Sequence, residues 1–398
     1  MPTPTPAAAD YIYEEKPPAG TAPTPEPEEP LPEEPDYCEE PDYCEEPEPE
    51  PPPDVTGINY QKAGGVFELP IAGATGWAAV SLPLREAPVA SPAALTIQIL
   101  NPGQGFTVLM EYGAWWYVRL GVNNVTGWVQ HVACFINLPD VVPSMVFRIT
   151  NASASVKRSN GYEIPGITGQ QLYSAFSYNP RLARYEYIVP VLYSTAKRLA
   201  AAQQAALAEG NTIIMYEAFR PRYTQRSVVN GMNALMDANP EVRADINTPP
   251  WSLGWFISTG ISNHQRGAAV DTSLGRVMAT ETKASGEFVF IRITEFEDYI
   301  MPTPMHELSP RAAIFSHPVT IRAAAELASA LFAETATEGA LLMQRYFVDV
   351  GLMPLASEWW HFNDNASLAA VVGLGLYGDF FIDRIYSTIA GIYNTKII

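Results

Sequence analysis

Two segments carry residue types that could build a metal centre: Ser262-Asn-His264-Gln-Arg-Gly267-Ala-Ala-Val-Asp271 and Glu358-Trp-Trp-His361. The chain has 5 histidines, and two of them fall here. Neutral imidazoles and a carboxylate are good zinc ligands, and three protein ligands leave a fourth position open, as catalytic sites require. His264 and Asp271 are 271 − 264 = 7 residues apart, with Gly267 between them to let the chain turn close under an ion. His361 supplies the third ligand. Glu358, three residues earlier, is the natural general base, because water on such an ion ionises near neutral pH. Trp359, Trp360 and Phe362 would keep solvent out.

A cation is also needed where negative charge develops. Arg220 ends an apolar run and is followed by Pro221, so its rigid fork could face an oxyanion or a terminal carboxylate. The plainer alternatives are a turn or cap aspartate at 271 and an ordinary ion pair at 220. His131 and His317 have no such companions and read as ordinary histidines.

Elements must bring these segments together. Between about 73 and 140, short β-type runs alternate with turn residues: 77–80, 96–100, 106–110, 115–120 and 127–130. Their number in so short a span suggests a small barrel. Trp77, Trp115, Trp116 and Trp128 read mostly as its core. Past Pro143 the pattern is mixed. Helices are expected over 185–210, 223–236, 321–331 and 339–350, and strands over 212–216, 268–272 and 288–293. Without repeated βαβ units this is an α+β arrangement, a small antiparallel sheet with flanking helices. The apolar stretch 368–377 is too short and glycine-broken for a membrane span and reads as buried core.

Charge is concentrated at one end. Residues 1–56 hold 13 Glu and 4 Asp against one Lys, giving 1 − 17 = −16 of the total −19 and leaving −3 for the rest. With 17 of the 36 prolines, that segment reads as a disordered acidic spacer. It repeats Glu-Glu-Pro-Asp-Tyr-Cys at 33–38 and 39–44, where nothing fixes Cys38 and Cys44 for metal capture. Three cysteines make no disulfide framework, and Cys134 reads as a small core residue. The near-neutral remainder lacks the basic face that nucleic acid demands. No secretory leader follows Met1. An acidic proline-rich spacer ahead of folded domains fits an exported wall or envelope protein whose leader has been removed, with the cytoplasm as the alternative.

Leu84-Arg-Glu-Ala-Pro88, Gly103-Gln-Gly105, Trp115-Trp116 and Gly127-Trp128-Val129 together resemble a bacterial SH3-like domain, which implies wall-peptide binding over 57–142. Residues 165–365 resemble the D-alanyl-D-alanine metallopeptidases, most closely the vancomycin-resistance dipeptidase type. The likeness rests on Ser262, His264, Gly267, Asp271, the Glu358–His361 run and Phe219-Arg220-Pro221. It implies one Zn2+ on His264, Asp271 and His361, Glu358 as base and Arg220 as oxyanion stabiliser. It also implies substrate contacts at Ser262, Tyr173 and the position of His306. The expected organisation is therefore a 1–56 tail, a 57–142 barrel and a 143–398 zinc peptidase domain. The expected partners are D-Ala-D-Ala-terminated peptides or peptidoglycan.

One departure bears on substrate length. The family places an aspartate for the substrate ammonium after a Met-Gly-Thr/Ser-x-Phe stretch; here Met301-Pro-Thr-Pro-Met305 leads to His306 and Glu307. An imidazole is a poor ammonium partner. Either Glu307 supplies that charge, or the site takes longer peptides as a carboxypeptidase. The further alternatives are a stem-peptide endopeptidase and a non-catalytic wall-binding protein with a structural zinc.

Overall fold

The computed structural model describes residues 66–90, 94–173, 176–382 and 384–391. The acidic tail with Cys38 and Cys44 lies outside them. The described residues belong to one compact unit of mixed helix and strand with several antiparallel sheets. Among them, no helix is long and apolar enough to cross a membrane.

The first sheet has eight strands. In spatial order they are Pro190–Leu192, Cys134–Asn137, Thr75–Ala78, Gly105–Tyr112, Trp115–Leu120, Thr126–Gln130, Leu82–Arg85 and Thr96–Leu100, paired antiparallel throughout. Alternation explains the burial: Trp116, Val118 and Leu120 are fully buried, while Tyr117 and Arg119 between them are half-buried. All four tryptophans of this region are buried. Cys134 is buried too, and burial pushes its thiol far above the ordinary range, so it is a core residue with no nucleophilic character. The sheet takes its last strand, Pro190–Leu192, from beyond residue 142.

That strand corrects the helix expected over 185–210. Arg184–Tyr187 and Pro190–Leu192 are extended, and the helix is Tyr193–Ala208. Proline disfavours a helical residue before it and suits a first strand position, so Val189-Pro190 holds the chain extended. Val191 and Leu192 are buried against Ile136 and Phe135, the residues they pair with, and not on a helix face. Gly210 stops the helix in a left-handed conformation (φ 73°).

The second sheet runs Met353–Leu355, Glu358–Asn363, Ala269–Ser285, Asn211–Glu217 and Val146–Phe147, with Phe288–Asp298 also paired to Ala269–Ser285. Helix Glu338–Asp349 packs on this sheet and on helix Tyr193–Ala208. Two further expectations are corrected. Over 321–331 only Ala324–Leu327 is helical, and none of its residues is buried; alanine propensity without an apolar face to bury does not hold a longer helix. In 368–377, Val372, Leu374 and Tyr377 are exposed, because Gly373 and Gly375 take positive φ after helix Asn365–Val371 and lead the chain outward. The segment then crosses back beside the site. Phe380 stacks on Phe219 at 5.3 Å, and the Tyr377 and Gly378 carbonyls accept from Gln265 Nε2 and Arg222 N.

Glu68 is buried and accepts hydrogen bonds from the Ser144 backbone N–H (2.9 Å) and hydroxyl. Burial pushes its pKa from 4.5 up to about 7. The fold therefore favours the protonated form. Its contribution is complete below the ordinary carboxylate range and is lost as pH rises through about 7. Glu68→Gln should gain stability relative to the wild type by about 2 kcal/mol between pH 5 and pH 8 in urea titrations. A difference that is flat with pH would contradict this.

Candidate metal centre

Sheet register assembles the site. On adjacent strands Glu217 pairs with Asp271, and Asp271 pairs with His361, so three ionisable side chains lie side by side. His264 comes from the short 3-10 turn Asn263–Arg266 just before the central strand. Ser262 caps that turn: its hydroxyl accepts from His264 N, and Gln265 Oε1 accepts from Ser262 N at 2.8 Å. Gly267 ends it in the left-handed region (φ 63°), and a Cβ there would lie 2.5 Å from the Phe135 ring. Glu358 stands at the turn end of its strand, where the ladder to Met353–Leu355 shifts register.

His264 Nε2 and His361 Nδ1 are 3.1 Å apart, and they lie 3.3 and 3.0 Å from Asp271 Oδ1. The remaining ring nitrogens are engaged elsewhere: His264 Nδ1 donates to the Ala218 carbonyl at 2.8 Å, and His361 Nε2 donates to Asn363 Oδ1 at 3.0 Å. These partners fix the tautomers so that two imidazole lone pairs and a carboxylate oxygen point at one spot. Three lone pairs at such distances repel unless a cation or proton lies between them. The donor set therefore fits a metal ion, and the three ligand atoms all lie within 4.8 Å of one another.

The surrounding charges agree. Burial pushes the Asp271 carboxyl up, but the three imidazoles outweigh it and hold it well below its usual range. Burial lowers the His264 pKa and keeps that ring neutral. Burial also lowers His361, but the Asp271 carboxylate outweighs it and the net shift is upward, so a cation competes with a proton for this nitrogen. Glu358 Oε2 is 3.6 Å from His361 Nδ1, and burial raises its pKa to about 7.

A second group, Glu217, Asp271 and His306, also has metal-ligand chemistry. Its carboxylate is already saturated. Glu217 Oε1 accepts from Arg220 Nε (2.8 Å) and Asn151 Nδ2, and Oε2 accepts from Arg220 Nη2 (2.5 Å) and Lys157 Nζ (3.2 Å). Four donors fill a carboxylate, and two fixed cations repel a third. This group is an ion-pair cluster. His306, whose backbone is left-handed (φ 61°), donates from Nε2 to Asp271 Oδ2 at 3.1 Å and turns Oδ1 toward the two imidazoles. Burial lowers its pKa to about 4, so it donates as a neutral ring.

A cavity of about 190 Å³ opens over the centre. Its walls include Trp255, Phe256, Ile257, Leu308, Leu355 and Trp360. His264, Asp271, His361, Glu358, Arg220 and Ser262 all reach it. Tyr173 and His306 are not among the described lining residues: Tyr173 donates to the Phe219 carbonyl at 3.2 Å, and His306 lies behind Asp271. Glu307 accepts from Gly161 N and Ser309 Oγ and is also absent from that lining. Arg220 engages four of its five N–H groups, two on Glu217, one on Gln225 and one at 3.4 Å from Asp271.

Sequence reasoning passed over Glu217, Lys157, Gln225 and Asn363. Glu217 and Asn363 lay inside or beside quoted segments, and a search for tautomer-fixing partners could have found Asn363. Lys157 sits in a loop with no motif. A scan against protein-family models finds no match for the chain, and a search of curated proteins finds none.

Titration with Co2+, followed by its visible absorption, should show one equivalent bound. Asn363→Ala should weaken binding about 10- to 100-fold by freeing the His361 ring. A second tight equivalent, lost in Glu217→Gln, would contradict the assignment of the second group as an ion-pair cluster.

Proposed function

We propose that the chain is a zinc peptidase that cleaves the terminal D-Ala–D-Ala bond of peptidoglycan-type peptides. The observation that carries the metallopeptidase reading is the convergence of His264 Nε2, His361 Nδ1 and Asp271 Oδ1 beside a buried glutamate. Three ligands leave room for substrate, whereas a structural zinc is closed by four; this favours an enzyme over a purely wall-binding protein. The choice of D-alanyl substrate rests on the resemblance of the 262–271 and 358–361 segments and is compatible with a small cavity of mixed polar and apolar lining.

Bound zinc supplies Lewis acidity at the scissile carbonyl and eases deprotonation of water. Glu358, buried and 3.6 Å from the His361 ligand nitrogen, is placed to take that proton and pass it to the leaving amine. Arg220, clamped by Glu217 and Gln225, keeps one N–H and its charge for the developing oxyanion. Ser262 sets the His264 turn and borders the cavity.

The only carboxylates among the described lining residues are Asp271 and Glu358. Both are committed, and Glu307 is engaged by Gly161 N and Ser309 Oγ, so a free substrate ammonium finds no spare carboxylate among the described lining residues. This favours a carboxypeptidase acting on longer peptides over a strict dipeptidase. The all-β region is read as the wall-binding part, and export to the envelope follows from the same reading.

Glu358→Ala should keep its zinc and lose about 10²- to 10⁴-fold in kcat. Mass spectrometry of products should show release of D-Ala from an N-acetylated peptide ending in D-Ala-D-Ala, faster than cleavage of the free dipeptide. Internal cleavage with no D-Ala released would favour the endopeptidase. Undiminished turnover in Glu358→Ala would refute the mechanism.

A further inference from the structure

We infer that Lys157 binds the C-terminal carboxylate of the peptide in the cavity and makes a free C-terminus a requirement. The inference rests on the peptidase reading and assigns a substrate-selecting role to a residue outside the centre described above.

Lys157 lies in the loop between helix Thr150–Ser153 and strand Arg158–Ser159. It borders the cavity and is only 2% exposed. An ammonium has three donors, and the hydrogen bond Lys157 makes is to Glu217 Oε2 at 3.2 Å. A buried ammonium with unused donors is costly unless a ligand satisfies them. Nor does Glu217 need this lysine for charge balance, because Arg220 already grips both of its oxygens. The two cations therefore divide the work. Arg220 has a single N–H left, the one that serves the oxyanion, whereas Lys157 borders the cavity with two donors to spare.

Charge points the same way. Lys157 and Arg220 balance Glu217 and Asp271, and a bound divalent ion outweighs the remaining carboxylate, Glu358, so the pocket keeps an excess of one positive charge. An anionic ligand fits it better than a neutral one. Lys157 and Arg220 are the only Lys or Arg side chains among the described lining residues. Leu308 and Trp360 line the same cavity and reduce solvent screening of a carboxylate held there.

The test uses two N-acetylated peptides ending in D-Ala-D-Ala, identical except that one ends in a free acid and the other in a carboxamide. The zinc-loaded wild type should favour the acid by about 10- to 100-fold in kcat/KM, the scale of a charge-assisted hydrogen bond. Lys157→Met should lose that factor on the acid, mainly through KM, and change little on the amide. Lys157→Arg should recover part of the preference. An equal loss on both peptides, with the acid-to-amide ratio intact, would overturn the inference and leave Lys157 as a mere partner of Glu217. Calorimetric binding of both peptides to zinc-loaded Glu358→Gln, with and without Lys157→Met, reads the same ratio without turnover. If the wild type cleaves neither peptide, the peptidase reading fails, while calorimetry still decides whether Lys157 selects the carboxylate.

Discussion

Asp271 divides its two oxygens between two tasks, and the arrangement of the site depends on that division. Oδ1 meets the bare nitrogens of His264 and His361; Oδ2 is held by His306 and faces Arg220. A carboxylate free to rotate would offer either oxygen to either side. Held from behind, it presents one oxygen in a fixed direction, and the imidazoles are fixed in turn by the Ala218 carbonyl and Asn363. Preorganisation of this kind places the ordering cost on folding and would spare it when an ion binds.

The fold supplies this geometry through sheet register. Glu217, Asp271 and His361 are aligned because three strands are paired in one phase; a slip of one residue would turn their side chains to the opposite face. These three are buried together with Lys157, Arg220, His264, His306 and Glu358, an arrangement that would be unstable if the charges were unpaired. Glu217 accepts four donors and acts as the hub for Arg220 and Lys157. The C-terminal segment adds a clamp from outside, through Phe380 on Phe219 and through the backbone carbonyls beside Gln265 and Arg222.

The sequence announced the centre but not its surroundings. His264, Asp271, Glu358 and His361 were legible because their types and local spacing carry the chemistry, and the structure brings all four to one cavity. Arg220 was legible as a cation at a strand end, while its capture by Glu217 was not, since pairing across a cluster leaves no local pattern. His306 was expected on the substrate side; a left-handed backbone turns it behind Asp271, and nothing in Met305-His306-Glu307 signals that. Long periodic elements such as helix Arg222–Ala238 and strand Asn211–Glu217 were readable, because each buries an apolar face in the core. The helix expected from 185 begins only at Tyr193, because a proline and a sheet partner claim the residues before it, and the one expected at 321 shortens to Ala324–Leu327, none of whose residues is fully buried.

X-ray absorption at the zinc edge tests the central claim most directly. With one equivalent of zinc, the account predicts a first shell of nitrogen and oxygen only, at about 2.0–2.1 Å, with the outer scattering of two imidazoles. One of those imidazoles should vanish in His361→Ala. A sulfur shell at about 2.3 Å, a single imidazole, or an unchanged spectrum in that variant would show that the ion binds elsewhere.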